Sequence, residues 1–96
     1  MKFNKKSMRL ICEGKKVITS RRTRHDNDPD VLFVFDTPMT KYEIGQLFYK
    51  EEGCESPEEY YRWINQIWRR NVPMTKLLYL HVIHPDCIKK IKKEKP

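Results

Sequence analysis

Two short apolar runs, far apart in the chain, constrain what this sequence can fold into. Val31 to Phe35 is apolar at every position, and Leu77 to Ile83 is interrupted only by a histidine. Short runs rich in branched and aromatic residues are typical of strands, and an unbroken run indicates burial on both faces. We therefore predict two central strands of one sheet.

The segment between these runs carries a helix-start signal at Thr40. Glu43 follows it at the spacing of a capping box, in which the threonine hydroxyl and the glutamate side chain bind each other's free backbone amides. We predict a helix from this point that ends at Gly53. Its inward residues should be Ile44, Leu47 and Phe48.

A second and stronger helix start follows at Ser56. Pro57 suits the first turn, and Glu59 occupies the third helical position. The helix carries an apolar stripe that indicates packing against the sheet, although two tryptophans in it leave a base-stacking platform as an alternative. The stripe consists of Tyr60, Trp63, Ile64, Ile67 and Trp68. At 96 residues the chain is long enough for one domain, and strands combined with helices predict the α+β class.

A basic segment lies near the N-terminus, after a short helix that we expect Ser7 to cap and Gly14 to end. A strand is predicted from about Lys16 to Arg22. Alternation on a strand places Val17, Thr19 and Arg21 on one face and Lys16, Ile18 and Ser20 on the other. Cations beside hydroxyls suit a phosphate, a carboxylate or a polarised carbonyl. The predicted nucleic-acid-binding residues are Lys15, Lys16, Arg21, Arg22 and Arg24.

The charges are segregated along the chain. Residues 1–25 carry nine Lys or Arg against one Glu, residues 26–59 carry ten acidic residues against two lysines, and residues 60–96 carry nine Lys or Arg against two acidic residues. If the two basic ends meet, they form one surface suited to a polyanion such as RNA. A solvated surface is the alternative reading, and the acidic middle could also meet a basic protein partner.

Three further features bear on compartment and cofactors. Cys12, Cys54 and Cys87 form no CxxC pair, and no apolar run is long enough to span a membrane, so we expect a cytoplasmic protein with reduced thiols. His81 and His84 raise the question of a metal site, but their spacing on a strand points them to opposite faces. We predict no metal and no cofactor. The lysine-rich tail, residues 87–96, could be a frayed helix or a disordered arm.

The order of these elements resembles the ASCH domains of the PUA-like superfamily, over about Phe3 to His84. Two motifs carry the resemblance: Gly-Lys-Lys-x-x-Thr-x-Arg from Gly14 to Arg21, and Glu-Glu-Gly-x-x-Ser-x-Glu-Glu from Glu51 to Glu59. The resemblance implies a small β-barrel over residues 1–86, with two or three packed helices, and a link to RNA or modified nucleosides. Only 30 residues separate Arg21 from Glu52, so we expect a barrel reduced in strand number.

One branch of that family deacylates acetylcytidine with a lysine, a threonine and a glutamate. The resemblance places these roles on Lys16, Thr19 and Glu52. Thr19 would attack or orient the amide carbonyl, Lys16 would take its proton or bind the oxyanion, and Glu52 would manage the proton of the leaving amine. Lys16 and Thr19 converge only if Lys16 lies in the turn before the strand or a bulge intervenes.

The sequence thus leads to two hypotheses. The first is RNA or nucleotide binding by a basic cleft around the Gly14–Arg21 motif, in a protein that we expect to be monomeric. The second is an amidohydrolase acting on an acylated cytidine or a similar small amide. A phosphate-binding protein should lose affinity steeply as salt rises, whereas an enzyme acting on a neutral nucleoside should tolerate moderate salt.

Overall fold

The computed structural model describes residues 1–94. Within them, four helices and four strands form an α+β fold, which confirms the predicted class, with one helix more than expected. The elements are α1 (Lys5–Cys12), β1 (Ile18–Arg21), β2 (Val31–Val34), β3 (Met39–Thr40), α2 (Lys41–Phe48), α3 (Pro57–Trp68), β4 (Leu77–Ile83) and α4 (Pro85–Glu94).

The strand β4 organises an open antiparallel sheet. It lies between β1 and β2, and its first residues also pair with β3. Thr19 of β1 and Val34 of β2 both face His81 in register, so the predicted central position of β4 is confirmed. Its Leu78 and Leu80 are almost completely buried and belong to the main core.

The prediction that Val31 to Phe35 is buried on both faces is wrong. Only Val31 and Val34 are buried, whereas Leu32 and Phe33 expose about half of their surface. The reason is that β2 is an edge strand of the path β1-β4-β2, and its pairing with β4 is irregular between Val31 and Phe33. A bulge of this kind breaks the alternation of inward and outward side chains.

The first helix begins one turn earlier than predicted. Asn4, not Ser7, is its N-cap, because the Asn4 side chain accepts a hydrogen bond of 2.8 Å from the Ser7 backbone amide. Gly14 follows the helix with φ of 75°, the left-handed conformation expected of a residue that ends a helix. The chain is thereby turned back toward the start of β1.

The two middle helices begin where the sequence predicted. Thr40 and Glu43 form the capping box of α2, and Ser56 caps α3 through the amide of Glu59. The predicted end at Gly53 is wrong because α2 stops at Phe48, and the predicted burial of Leu47 is also wrong, since 65 % of its surface is exposed.

The predicted stripe of α3 divides into two parts. Tyr60, Trp63 and Ile64 are buried in the main core, whereas Ile67 is 43 % exposed and Trp68 is half-buried at the end of the helix. The first part of the stripe therefore packs in the core, and its last part lies at the surface.

The helix α4 begins at Pro85, two residues before the predicted tail, and includes residues 87–94 of that tail. Its Cys87 packs with Ile11 of α1 and Ile83 of β4 in a second small core. Lys95 and Pro96, which the tail prediction included, lie outside the described residues. Within residues 1–94, none of the helices combines the length and the apolar character that a membrane crossing needs.

Candidate functional site

The two sequence motifs meet in the fold. Lys16 lies in the irregular segment between the turn at Gly14 and the start of β1. The amides of Val17 and Ile18 both donate to the Glu51 carbonyl, at 2.8 and 3.2 Å. Gly53, with φ of 92°, allows this close approach, because a Cβ there would lie 3.2 Å from the Cβ of Lys16. Lys16 therefore lies outside the regular strand, so the alternation of β1 does not force its side chain away from Thr19.

A buried ion pair joins the motifs. The Nζ of Lys16 lies 2.7 Å from Oε1 of Glu52, and each side chain is 2 % exposed. The same Nζ also donates to the Glu52 backbone carbonyl at 3.3 Å. An ion pair this deep is costly to desolvate, so each charge depends on the other for compensation.

Two hydroxyl groups extend the ion pair. Ser20 donates from Oγ to Oε2 of Glu52 at 2.7 Å, and Ser20 Oγ also lies 2.8 Å from the hydroxyl of Tyr60. Because the single Ser20 proton is used on Glu52, Tyr60 is the donor of the second bond. Burial, reinforced by the negative charge of Glu52, raises the pKa of Tyr60 and keeps this phenol protonated.

Thr19 lies beside this network, not within it. It is buried on β1 and lines the same cavity as Lys16 and Glu52, so the structure brings the three predicted residues together. The free oxygen of Glu52, however, is bound by Ser20. The alternation of the strand already grouped Ser20 with Lys16, and this signal could have identified it.

The cavity is a cleft of about 1020 Å³ with three kinds of lining. Its polar part is formed by Lys16, Thr19, Ser20 and Glu52. Apolar residues of α3 and a group of basic residues form the rest of the lining. The α3 wall comprises Trp63, Ile64, Ile67 and Trp68, and the basic residues are Lys2, Arg21, Arg22 and Arg70. Phe3 and His25 also line the cleft.

Arg21 contacts the N-terminal segment at the cleft. It donates to the backbone carbonyl of Lys2 at 2.9 Å, and its guanidinium lies 5.5 Å from the centre of the Phe3 ring. Its Nε is buried and has no hydrogen-bond partner among residues 1–94. Burial lowers the pKa of Arg21, although the charge of Glu52 opposes the shift.

Two other predicted nucleic-acid-binding residues lie away from the cleft. Arg24 binds both carboxylate oxygens of Asp26, at 3.0 and 2.8 Å. Lys15 pairs with Glu13 at 3.5 Å and lines a separate, shallower cavity. Of the five predicted residues, the cleft therefore contains Lys16, Arg21 and Arg22.

His81 connects the sheet to a loop at the cleft. Its Nδ1 donates to the Tyr79 carbonyl at 2.9 Å, and its Nε2 accepts from the backbone amide of His25 at 3.0 Å. This pair of bonds requires the neutral ring, and burial lowers the pKa of His81. No cluster of three or more His, Cys, Asp or Glu suited to a metal occurs in the described part of the chain.

Sequence reasoning missed several residues that contact the basic motif in the folded protein. Tyr60 and Trp68 were predicted as members of the helical stripe, but their position relative to Ser20 and Arg22 depends on how α3 packs. Arg70 lies just beyond α3 and belongs to neither sequence motif. No protein-family model matches the chain, and no curated protein or solved structure is significantly similar to it.

Proposed function

We propose that the protein binds RNA or a nucleotide in this cleft. The observation that carries the proposal is the unbalanced positive charge of the lining. Among residues 1–94, none of Lys2, Arg21, Arg22 and Arg70 forms an ion pair with a carboxylate. Glu52, the acidic residue of the lining, is already neutralised by Lys16. A cleft with this balance favours an anionic ligand.

The aromatic wall supports the same proposal. Trp68, which is half-buried, and the exposed Ile67 give the cleft an apolar surface beside its basic residues, whereas Trp63 reaches the cleft only from the core. A base stacks on an aromatic ring while its phosphate contacts arginines, so the two kinds of lining suit the two ends of a nucleotide. A simple inorganic anion would leave the apolar wall unused.

We also propose that the fold is a reduced PUA-like domain of the ASCH type. The support is the contact between the two motifs on which the resemblance depends. Lys16 of the first motif binds Glu52 of the second, and Gly53 permits their approach. The four strands are consistent with a reduced strand number, although they form an open sheet and not a closed barrel.

Fluorescence anisotropy of a labelled single-stranded RNA, measured across a salt series, tests the binding proposal. We expect log affinity to fall linearly with log salt, and Arg21→Gln to weaken binding and reduce the slope by about 1. Arg62→Gln is the matched control, since Arg62 lies exposed on α3 outside the cleft lining. Equal effects of both substitutions, or no binding at low salt, would contradict the proposal.

A second candidate function, amide hydrolysis, is favoured by the buried pair of Lys16 and Glu52 beside two hydroxyls. In this proposal a hydroxyl attacks the carbonyl carbon of an acylated cytidine, the Glu52 carboxylate takes up the hydroxyl proton, and the Lys16 ammonium stabilises the oxyanion. The C–N bond then breaks as Glu52 passes that proton to the leaving amine, and water releases the acyl group as a carboxylic acid and restores the hydroxyl.

Incubation with acetylcytidine followed by chromatography tests this candidate. Thr19→Val and Ser20→Ala each remove one hydroxyl with little change in volume. The family pattern predicts that Thr19→Val abolishes turnover, whereas the hydrogen bond from Ser20 to Glu52 would make Ser20→Ala the more damaging change. No release of cytidine by the folded wild-type protein would refute the hydrolase candidate and leave binding intact.

A further inference from the structure

We propose that Arg22 and Arg70, both held against Trp68, form a phosphate-binding site at the exposed edge of the cleft. The site takes the phosphate group of a nucleotide whose base and sugar occupy the cleft. This inference rests on the proposed nucleotide-binding function, and it adds that the cleft recognises the phosphate group of the nucleotide. The consequence is that the cleft discriminates nucleotides from nucleosides.

The first support is the position of the two guanidinium groups. That of Arg22 lies 5.2 Å from the centre of the Trp68 ring, and that of Arg70 lies 5.6 Å from it. Both distances are within the range of cation–π attraction. A guanidinium held over an aromatic face keeps the N–H groups at its edge free, and these groups bind phosphate oxygens in pairs.

The second support is that the two arginines are brought together from different elements. Arg22 directly follows β1, whereas Arg70 follows the end of α3. Arg69 ends that helix in the left-handed conformation, and the Arg70 amide donates back to the Asn65 carbonyl at 3.2 Å. The fold therefore fixes the backbone of Arg70 beside Trp68 before any ligand binds.

The third support is the absence of a competing carboxylate. Among residues 1–94, neither Arg22 nor Arg70 has an acidic group within ion-pair distance, whereas the nearby Arg24 is occupied by Asp26. Arg21 adds a further cation to the same cleft, and its buried Nε has no hydrogen-bond partner in the described part of the chain. Cations that the protein leaves unpaired in one cavity are available to a dianionic ligand.

The fourth support is size. A cleft of about 1020 Å³ lies at the upper end of the range for small-molecule sites, which gives room for a base, a sugar and a phosphate. The apolar wall and the two arginines both line this one cavity. A single nucleotide can thus contact both, whereas a free nucleoside leaves the arginines unsatisfied.

Calorimetric titration with cytidine monophosphate and with cytidine tests the proposal. We expect the nucleotide to bind at least ~10-fold more tightly, as charge-assisted hydrogen bonds imply. Arg22→Ala and Arg70→Ala should each remove most of this preference, and Arg62→Ala should preserve it. Trp68→Phe should keep more of the preference than Trp68→Leu, because phenylalanine retains an aromatic face.

Inorganic phosphate alone separates this inference from the proposed function. Saturable shifts of the Nε–H signals of Arg22 and Arg70, with none at Arg62, would support the phosphate site even if no nucleoside binds. Cytidine binding without any preference for the monophosphate, and without phosphate-dependent shifts, would overturn the site while leaving the cleft as a binding pocket. An equal loss of the preference for the monophosphate in the Arg62→Ala and Arg70→Ala proteins would also overturn the phosphate site.

Discussion

Removing one member of the buried ion pair should destabilise the protein strongly. In the Lys16→Met protein, the carboxylate of Glu52 keeps the hydroxyl of Ser20 but loses the ammonium 2.7 Å away, in a site where both side chains are 2 % exposed. In the Glu52→Gln protein, the buried ammonium keeps only neutral acceptors. We expect each substitution to lower the free energy of unfolding by about 3–5 kcal/mol, because an uncompensated charge is left buried.

The double variant Lys16→Met/Glu52→Gln removes both charges and is the decisive comparison. Its free energy of unfolding should fall by about 2–3 kcal/mol less than the sum of the decreases in the two single variants. Urea unfolding followed by tryptophan fluorescence measures all four proteins, with Lys15→Met as the control because that lysine is exposed. Single losses below about 1 kcal/mol, or strictly additive losses, would refute the dependence of each charge on the other.

Three further predictions concern other parts of the fold. Thermal melts should show stability falling as pH drops below about 6.5, because unfolding lets His81 take up a proton that burial resists, and His81→Gln should flatten this dependence. Lys41→Met should cost about 1–3 kcal/mol in urea unfolding, since the Val72 carbonyl loses a buried donor at 2.8 Å; unchanged stability would contradict this. Gly45→Ala should cost about 1–3 kcal/mol by the same assay, because its methyl group meets the ring of Tyr61, and a neutral effect would refute this close packing.

The helix starts could be predicted because their signals are local. The capping box of Thr40 and Glu43 and the cap at Ser56 each lie within four residues, so neighbouring side chains alone decide them. At the first helix the cap is Asn4 and not the predicted Ser7, and residue type alone does not separate them, since both types are good caps.

Burial on β2 could not be predicted for a different reason. The apolar run contains no signal for the place of its strand in the sheet, and an edge position exposes Leu32 and Phe33. The exposure of Leu47 likewise depends on what packs against α2. Both outcomes are set by long-range contacts that a local pattern does not contain.

The candidate site was predictable in part. The family pattern selected Lys16, Thr19 and Glu52, and all three line one cleft. The hydrogen bonds that join Ser20 with Glu52 and with Tyr60 link residues separated by 32 and 40 positions, so only the tertiary packing around β1 reveals them.

The most direct test of the binding proposal is to follow the indole N–H signals of Trp63 and Trp68 during titration with cytidine monophosphate. Both tryptophans of the chain line the cleft, so their two signals report on it without interference. The proposal predicts saturable shifts of both signals that weaken as salt rises. Unchanged indole signals at saturating nucleotide and low salt would contradict it.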